Sequence, residues 1–383
     1  MIKVLSVFGT RPEAIKMAPV VQELNKHQEL IQAKVAVTAQ HREMLDQVLD
    51  LFRITPDYDL NLMRHGQTLY DITSGALLGL KKILEQEKPD LVLAHGDTTT
   101  TFVAALAAFY QKIKVGHVEA GLRTYDKFAP FPEEMNRKMA GSLADYHFAP
   151  TKTSKENLLR ENVPENSIVV TGNTVIDALF HTVEKPYNFS GYLRDQVDWT
   201  KKIILITCHR RENWGEPMKR IFHAIREVKE LRPDTEMIFP VHKNPLVGEL
   251  AQEILGKIPG IHLIEPLDYQ PFSQLMARSY LVLTDSGGLQ EEAPSLGKPV
   301  LVLRDTTERP EAMEAGTVKL VGTNKEIILE ETLRLIDEPK YYEKMANAVN
   351  PYGDGKASGR IVRAIMSFFG EDKEDLKDFQ YKY

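Results

Sequence analysis

Short apolar runs alternate with amphipathic stretches along almost the whole chain, and no other feature constrains the fold as strongly. In the first half the runs lie at 2–8, 33–38, 91–94, 115–118 and 146–149, and in the second half at 203–207, 237–241, 262–264, 281–284, 300–303 and 318–321. Near-continuous apolar strands separated by helices indicate parallel sheets that are covered on both faces. The pattern therefore predicts an α/β protein with two doubly wound parallel sheets.

The alternation breaks at residues 183–201, a polar stretch with proline and glycine that is typical of a linker. A chain of 383 residues is long enough for two domains. We expect the first domain over residues 1–172 and the second over 173–359. A last amphipathic helix is predicted at 358–369, and a charged tail follows it.

The composition excludes several classes of protein. The chain has 48 basic and 54 acidic residues and a net charge of −6, so we expect no broad cationic surface for nucleic acid. No run approaches the roughly 20 apolar residues that a membrane span needs, and the apolar N-terminal run is too short for a signal sequence. The single cysteine, Cys208, cannot form an intrachain disulfide. These features predict a cytoplasmic protein that binds neither membrane nor nucleic acid.

The loop after the first apolar run, residues 9–16, predicts an anion site. Thr10 and Glu13 have the spacing of a helix capping box, and Pro12 suits the first helical turn. Arg11 and Lys16 are cations near a helix N-terminus, where the dipole disfavours positive charge unless an anion is bound. No G-x-G-x-x-G follows the first run and no G-x-x-x-x-G-K-[ST] occurs, so NAD-binding and P-loop chemistry are disfavoured.

Three carboxylates follow later runs of the first half and form a candidate acid–base set. Asp97 follows the run at 91–94, Glu119 follows the run at 115–118, and Glu133 lies beside Glu134 at a predicted helix start. Asp97 is also suited to cap a helix, and the Glu133–Glu134 pair to complement a helix dipole. We expect three acid-bearing loops from successive strands to converge on one edge of the sheet, where carboxylates divide into acid and base.

The second half carries candidate phosphate ligands. His209 lies beside Arg210 and Arg211 at the end of a predicted strand. Ser286, Gly287 and Gly288 lie between a strand and a helix, a pattern that exposes backbone amides to an anion. Glu292 lies about one turn later, where its carboxylate suits a ribose, and Arg309 follows the next strand. Cys208 is interpreted as a packing residue.

Taken together, these motifs resemble the non-hydrolysing UDP-N-acetylglucosamine 2-epimerases of bacteria. The matching stretches occur in the family's order and cover the chain from residue 1 to about 370: 9–13, 95–97, 117–124, 132–134, 209–213, 285–294 and 304–311. The resemblance implies a GT-B-type fold of two Rossmann-like domains with an active-site cleft between them. It also implies that the last helix, at about 360–383, joins the first domain.

The resemblance further implies a homodimer that uses no metal and no cofactor, and it assigns roles to individual residues. UDP would lie mainly against the second domain, with Ser286, Gly287 and Gly288 at phosphate, Glu292 at ribose, and Leu267 and Phe272 at the uracil. Arg11, Lys16, His209 and Arg309 would complete the grip on the diphosphate. Asp97, Glu119 and Glu133 would act at the sugar.

Members of this family often bind a second UDP-GlcNAc as an activator beside the substrate. The matching positions in this chain are Gln40, His41, Gln67, Arg210 and His242. Some regulated members carry an arginine just before the glutamine, where this chain has Gly66.

The implied reaction is reversible epimerisation at C2 between UDP-GlcNAc and UDP-ManNAc, which would supply ManNAc for cell-envelope polysaccharide. Elimination of UDP to a 2-acetamidoglucal, followed by re-addition, would need cations on the diphosphate and acid–base groups around C2. The alternatives are a retaining GT-B glycosyltransferase, a hydrolysing epimerase and a non-catalytic UDP-sugar sensor.

Overall fold

The computed structural model describes residues 1–39, 42–64, 66–372 and 376–380. These residues form two compact units, the first from residues 1–178 and 352–380 and the second from residues 179–351. Each unit is built around one parallel sheet, which confirms the predicted fold class. The domain limits expected from the sequence stay a prediction.

The first unit contains a seven-stranded sheet and the helices that cover it. Its strands are β1 (Ile2–Phe8), β2 (Ile31–Val37), β3 (Tyr58–Asp59), β4 (Leu91–His95), β5 (Lys114–Val118), β6 (Tyr146–Ala149) and β7 (Ile168–Val170). Its helices are α1 (Arg11–Leu24), α2 (Arg42–Phe52), α3 (Leu69–Glu87), α4 (Thr99–Tyr110), α5 (Glu133–Leu143) and α6 (Lys152–Arg160), and α7 (Thr174–Val183) begins in it. The sequence analysis did not predict β3 and β7.

The second unit contains a six-stranded sheet. Its strands are β8 (Lys202–Thr207), β9 (Thr235–Pro240), β10 (Ile261–Ile264), β11 (Leu281–Thr284), β12 (Val300–Val302) and β13 (Val318–Leu320). Its helices are α8 (Gly191–Gln196), α9 (Glu216–Leu231), α10 (Pro245–Leu255), α11 (Tyr269–Arg278), α12 (Leu289–Ser295), α13 (Pro310–Glu314), α14 (Lys325–Asp337) and α15 (Pro339–Ala346).

Both sheets have the strand order of a doubly wound fold. The order is β3-β2-β1-β4-β5-β6-β7 in the first and β10-β9-β8-β11-β12-β13 in the second, and the paired strands are parallel. The chain therefore winds in opposite directions from β1 and β4, and again from β8 and β11. Ligands of such sheets bind beyond the carboxyl ends of the strands at this switch point.

Apolar side chains on both faces of the central strands explain why these sheets are buried. In β1, Val4, Leu5, Val7 and Phe8 are each at most 1% exposed. In the second unit Phe222 of α9 packs edge-on against Phe239 of β9, with ring centroids 5.6 Å apart. Strands this apolar need helices on both faces, which is the arrangement predicted from the sequence.

Residues 183–201 are packed against the second unit rather than extended as a linker. Phe189 stacks on Trp199 with ring centroids 4.8 Å apart, and the guanidinium of Arg278 lies over the Phe189 ring at 4.9 Å. Trp199 Nε1 also donates to the carbonyl of Leu193. Phe189 and Trp199 supply contacts that order this polar stretch.

The chain returns to the first unit with α16 (Ala357–Phe368), close to the helix predicted at 358–369. Helix α16 packs against α1. Its first turn is held by Asp177, whose carboxylate accepts the amides of Ala357 (3.1 Å) and Ser358 (2.8 Å). Among the described residues, none of the helices combines the length and apolarity required to span a bilayer.

Candidate active site

The predicted site residues gather at the switch point of each sheet. In the first unit the loop after β1 carries Arg11, and the loop after β4 carries Asp97. In the second unit the loop after β8 carries His209, and the loop after β11 carries Ser286. Each unit therefore presents its candidate residues at the edge where open α/β sheets bind ligands.

Glu13 ties the two switch-point loops of the first unit together. Its Oε2 accepts the amides of Gly9 (3.0 Å) and Thr10 (2.8 Å), which completes the predicted capping box. Its Oε1 accepts the hydroxyls of Thr98 (2.6 Å) and Thr101 (3.1 Å) from the start of α4. Burial raises the pKa of Glu13, and these hydrogen bonds oppose that rise. The loops that carry Arg11 and Asp97 thus share one buried anchor.

Glu119 is the most enclosed of the three predicted acids, with 8% of its side chain exposed. Its Oε2 forms an ion pair with Lys16 and accepts a hydrogen bond from Asn173 Nδ2 at 2.9 Å. The residue has a φ of 61°, which is uncommon outside glycine and often marks a functional position. The predicted anion-binding cation Lys16 and the predicted acid Glu119 are therefore direct neighbours.

Three buried histidines lie on the neighbouring strands β4, β5 and β6, and two of them, His95 and His117, interact with Glu119. Burial lowers the pKa of His95 to about 4, of His117 to about 4 and of His147 to about 3. His95 Nε2 lies 3.8 Å from Glu119 Oε2, and His117 Nε2 lies 2.7 Å from the carbonyl of Gly96. At neutral pH these rings are uncharged, so they add no positive charge beside Glu119.

Asp97 forms an ion pair with Arg137 of α5, and 28% of its side chain is exposed. Its backbone carbonyl also accepts Asn136 Nδ2 at 3.0 Å. The cap of α4 is Thr98, whose hydroxyl accepts the amide of Thr101 at 3.2 Å. The capping alternative for Asp97 was therefore wrong, because the next residue takes that position.

Glu133 and Glu134 have different environments in the structure, although their neighbouring positions in the sequence did not distinguish them. Glu134 is buried and accepts the amides of Thr124 and Tyr125, each at 3.1 Å, so it anchors the preceding loop. Glu133 is partly exposed at the first position of α5. Both Glu119 and Glu133 belong to the connection between β5 and α5. The expectation of three loops from successive strands is corrected to two loops, after β4 and β5.

In the second unit the central carboxylate is Asp285, which the sequence analysis did not single out. It is fully buried, and its Oδ2 accepts the amides of His209 and Arg210, each at 2.8 Å, and Asn213 Nδ2 at 3.1 Å. His209 Nδ1 lies 3.3 Å from Oδ1 of the same carboxylate. Burial lowers the pKa of His209, and the charge of Asp285 opposes that shift.

The turn formed by Ser286, Gly287 and Gly288 lies between β11 and α12, as predicted. The amide of Ser286 donates to the Thr284 hydroxyl at 2.9 Å. Among the described residues, the amides of Gly287 and Gly288 have no acceptor. Glu292 follows in α12, and a β-carbon added at Gly288 would lie 3.4 Å from its Oε1. The turn thus offers backbone donors beside a carboxylate.

Arginines and acids form ion pairs around this turn. Arg309 pairs with Glu291, which is 5% exposed. The Arg304 side chain contacts Glu212 Oε1 (2.5 Å) and both oxygens of Glu308 (2.9 and 3.1 Å). Burial would raise the pKa of Glu308, but the hydrogen bond and charge of Arg304, the backbone of Glu308 and the charge of Arg210 together lower it to about 2. The predicted phosphate ligand Arg309 is thus oriented by a buried acid.

The remaining predicted residues fall into two groups. Leu267 and Phe272 are partly buried, before and within α11. The proposed activator residues Arg210 and His242 lie beside His209, whose ring stacks on His242 with centroids 5.7 Å apart. Gln67 accepts the amide of Arg64 at 3.1 Å, ahead of α3. Gln40 and His41 lie outside the described residues. Within the described ranges, no cluster of three potential metal ligands is found.

The chain was compared with known protein families and structures. The family model described as UDP-N-acetylglucosamine 2-epimerase matches residues 22–366. A UDP-N-acetylglucosamine 2-epimerase from Bacillus subtilis (strain 168) is 57% identical over 381 residues, covering 100% of this chain and 99% of the relative.

Solved structures agree with this assignment. The UDP-GlcNAc 2-epimerase of Neisseria meningitidis bound to UDP-GlcNAc is 55% identical with a TM-score of 0.83, covering 96% of this chain and 100% of that one. An S. aureus MnaA–UDP co-structure is 52% identical with a TM-score of 0.85, covering 99% and 100% of the two chains. The chain belongs to the UDP-N-acetylglucosamine 2-epimerase family.

Proposed function

We propose that this protein is a non-hydrolysing UDP-N-acetylglucosamine 2-epimerase that interconverts UDP-GlcNAc and UDP-ManNAc. The observation that carries the proposal is full-length similarity to epimerases, one of them solved with UDP-GlcNAc bound. The carboxylates and cations gathered at both switch points support it, since they are the groups that this reaction requires.

The chemistry begins with an unreactive proton. The C2 hydrogen of the sugar is adjacent to no carbonyl, so direct removal faces a high barrier. When the C1–O bond breaks, its electron pair leaves with UDP, a base takes the C2 proton, and a C1–C2 double bond forms. Re-addition of the UDP oxygen at C1, with a proton delivered to the opposite face of C2, gives the epimer. The intermediate is a 2-acetamidoglucal.

The first unit supplies the acid–base groups in this proposal. Asp97, Glu119 and Glu133 act around C2, and Arg11 and Lys16 contact the diphosphate. The Lys16–Glu119 ion pair supports this division of roles. Lys16 would contact the departing diphosphate and Glu119 would act on the sugar, on the two sides of the breaking C1–O bond. Glu119 needs a fixed position for proton transfer, and Asn173 provides a second contact to it.

The second unit holds UDP in this proposal. The amides of Gly287 and Gly288, which have no acceptor within the described part of the chain, suit a phosphate together with Ser286, and His209 and Arg309 would add positive charge beside it. Glu292 accepts the ribose hydroxyls, and Leu267 and Phe272 line the uracil. The substrate would therefore be held by one unit and transformed by acids of the other.

We also propose that the first domain comprises residues 1–172 and 360–383 and the second residues 173–359. The protein would be a homodimer in the cytoplasm, a location that suits a single buried cysteine. A second UDP-GlcNAc would bind near Arg210 and His242 as an activator, together with Gln40, His41 and Gln67. The product would supply ManNAc for cell-envelope polysaccharide.

Incubation with UDP-GlcNAc in D2O tests the reaction. The expected result is deuterium at C2 of both UDP-sugars. A glycosyltransferase would require an acceptor and leave C2 unlabelled, a hydrolysing epimerase would release free ManNAc and UDP, and a sensor would convert nothing. An active preparation that converts the sugar without C2 labelling would contradict the mechanism.

The variant Asp97→Asn tests the acid–base assignment. It should abolish epimerisation while UDP binding, measured by calorimetry, largely survives. Asp195→Asn is the matched control, because Asp195 is an exposed aspartate paired with Arg194 and should leave turnover unchanged. Normal turnover in Asp97→Asn would remove that residue from the mechanism.

A further inference from the structure

We propose that Asp285 is the positioning residue for His209, and that it fixes which nitrogen of the imidazole carries the proton. The proposal rests on the proposed function, in which His209 contacts the diphosphate. In this proposal Asp285 does not itself touch the substrate. It sets the protonation state of His209, which does.

The first support is the way in which Asp285 is bound. This carboxylate is 0% exposed at the end of β11, and its Oδ2 receives three donors from the loop after β8. Two of these donors are the backbone amides of His209 and Arg210, so Asp285 sets the path of the chain where the histidine projects. A buried carboxylate with this many fixed donors is a rigid support.

The second support is the other oxygen of the carboxylate. Among the described residues, Oδ1 has no hydrogen-bond partner, and His209 Nδ1 lies 3.3 Å from it. A lone pair on Nδ1 would face this buried, unpartnered oxygen with like polarity, whereas an N–H would turn its positive end toward it. The proton of the neutral ring therefore resides on Nδ1, and Nε2 keeps its lone pair.

The third support is the position of the ring. The His209 side chain is 37% exposed although its Nδ1 edge faces a fully buried acid. The ring is flanked by His242, which stacks on it, and by Arg210, while the buried thiol of Cys208 lies near Asp285. The exposed edge with Nε2 is the one that a phosphate oxygen can approach, and it can take up a proton when the anion arrives.

The histidine tautomer can be measured directly in the wild-type protein. Imidazole ¹⁵N chemical shifts distinguish the two neutral tautomers, and His209 is assigned by the signal that disappears in His209→Gln. The expected result is a protonated Nδ1 and an unprotonated Nε2 in the ligand-free protein. A proton on Nε2 would overturn the proposal. This outcome does not depend on turnover, so it is separable from failure of the proposed function in the D2O experiment.

Asp285→Asn tests the same point by substitution. The amide oxygen of the new side chain would accept the three hydrogen bonds that Oδ2 accepts in the wild type. The NH2 group would then face His209 Nδ1 and donate to it, so the ring proton would reside on Nε2. Loss of the charge that opposes burial should also move the His209 titration to lower pH. We expect kcat to fall about 10- to 100-fold, the range reported for removing a partner that orients a metal-binding histidine, with a smaller change in KM.

The matched control is Glu236→Gln. It alters another buried carboxylate–histidine pair of the same unit, in which Glu236 Oε2 lies 2.5 Å from His262 Nε2. Glu236→Gln should lose as much stability as Asp285→Asn does. It should nevertheless keep the kcat–pH profile of the wild type. Equal kcat losses in the two variants, or an unchanged His209 tautomer in Asp285→Asn, would reduce Asp285 to a structural residue and overturn the proposal.

Discussion

Replacement of Glu13 tests whether one buried carboxylate holds the two switch-point loops of the first unit. In Glu13→Ala the amides of Gly9 and Thr10 lose their acceptor, while the hydroxyls of Thr98 and Thr101 keep each other at 3.2 Å. Two orphaned amides, one buried and one partly buried, at about 1–3 kcal/mol each, give a cost of about 4 kcal/mol. Since a unit of this size shifts by about 2–4 °C per kcal/mol, its melting temperature should fall by about 8–16 °C.

Glu13→Gln is the matched variant, because it keeps the shape and one oxygen. That oxygen can accept both backbone amides, and the two threonine hydroxyls can rotate to accept from the new NH2 group. The expected cost is about 1 kcal/mol, the net worth of about one hydrogen bond lost when the threonine hydroxyls reverse, or about 2–4 °C. Differential scanning calorimetry measures both variants. Equal losses in the two, or an alanine variant as stable as the wild type, would refute the role given to Glu13.

Because the pKa of Glu13 is raised above 4.5 in the folded state, the folded protein binds this proton more tightly than the unfolded chain does. The difference in unfolding free energy between wild type and Glu13→Gln should therefore narrow as pH rises above 4.5. A difference that does not change with pH would contradict this. Gly121→Ala should cost about 2–4 kcal/mol in thermal unfolding, since φ is 90° and a β-carbon would lie 2.2 Å from the Ser154 carbonyl oxygen. Gly370→Ala has a φ of 78° and open space, so it should cost about 1 kcal/mol, and equal losses would exclude the clash. Lys16→Met should reduce turnover and weaken UDP-GlcNAc binding in calorimetry, and unchanged affinity would remove Lys16 from the diphosphate contacts.

The sequence predicted the parts of the fold that have a strong apolar signal. Eleven runs matched strands of the two sheets, whereas the short strands β3 and β7 were missed. The stretch at 183–201 was interpreted as a linker from its polar composition, but the stacking of Phe189 on Trp199 depends on tertiary contact. Periodicity reports burial, and it does not report which distant side chains will meet.

The same distinction applies to the candidate site. Thr10 and Glu13 were paired correctly, because a capping box is a local pattern. The partners Asn173 of Glu119, Glu291 of Arg309 and Asp285 of His209 come from remote parts of the chain. Neither spacing nor residue type indicated that Glu134 is a buried anchor.

The central claim is that acids of the first unit act on a sugar whose diphosphate is bound by the Ser286–Gly288 turn. A crystal structure of Asp97→Asn with UDP-GlcNAc tests it most directly. We expect phosphate oxygens about 3 Å from the Gly287 and Gly288 amides, and sugar C2 within about 3.5 Å of the Glu119 or Glu133 carboxylate. UDP bound away from the turn, or C2 facing neither carboxylate nor residue 97, would contradict it.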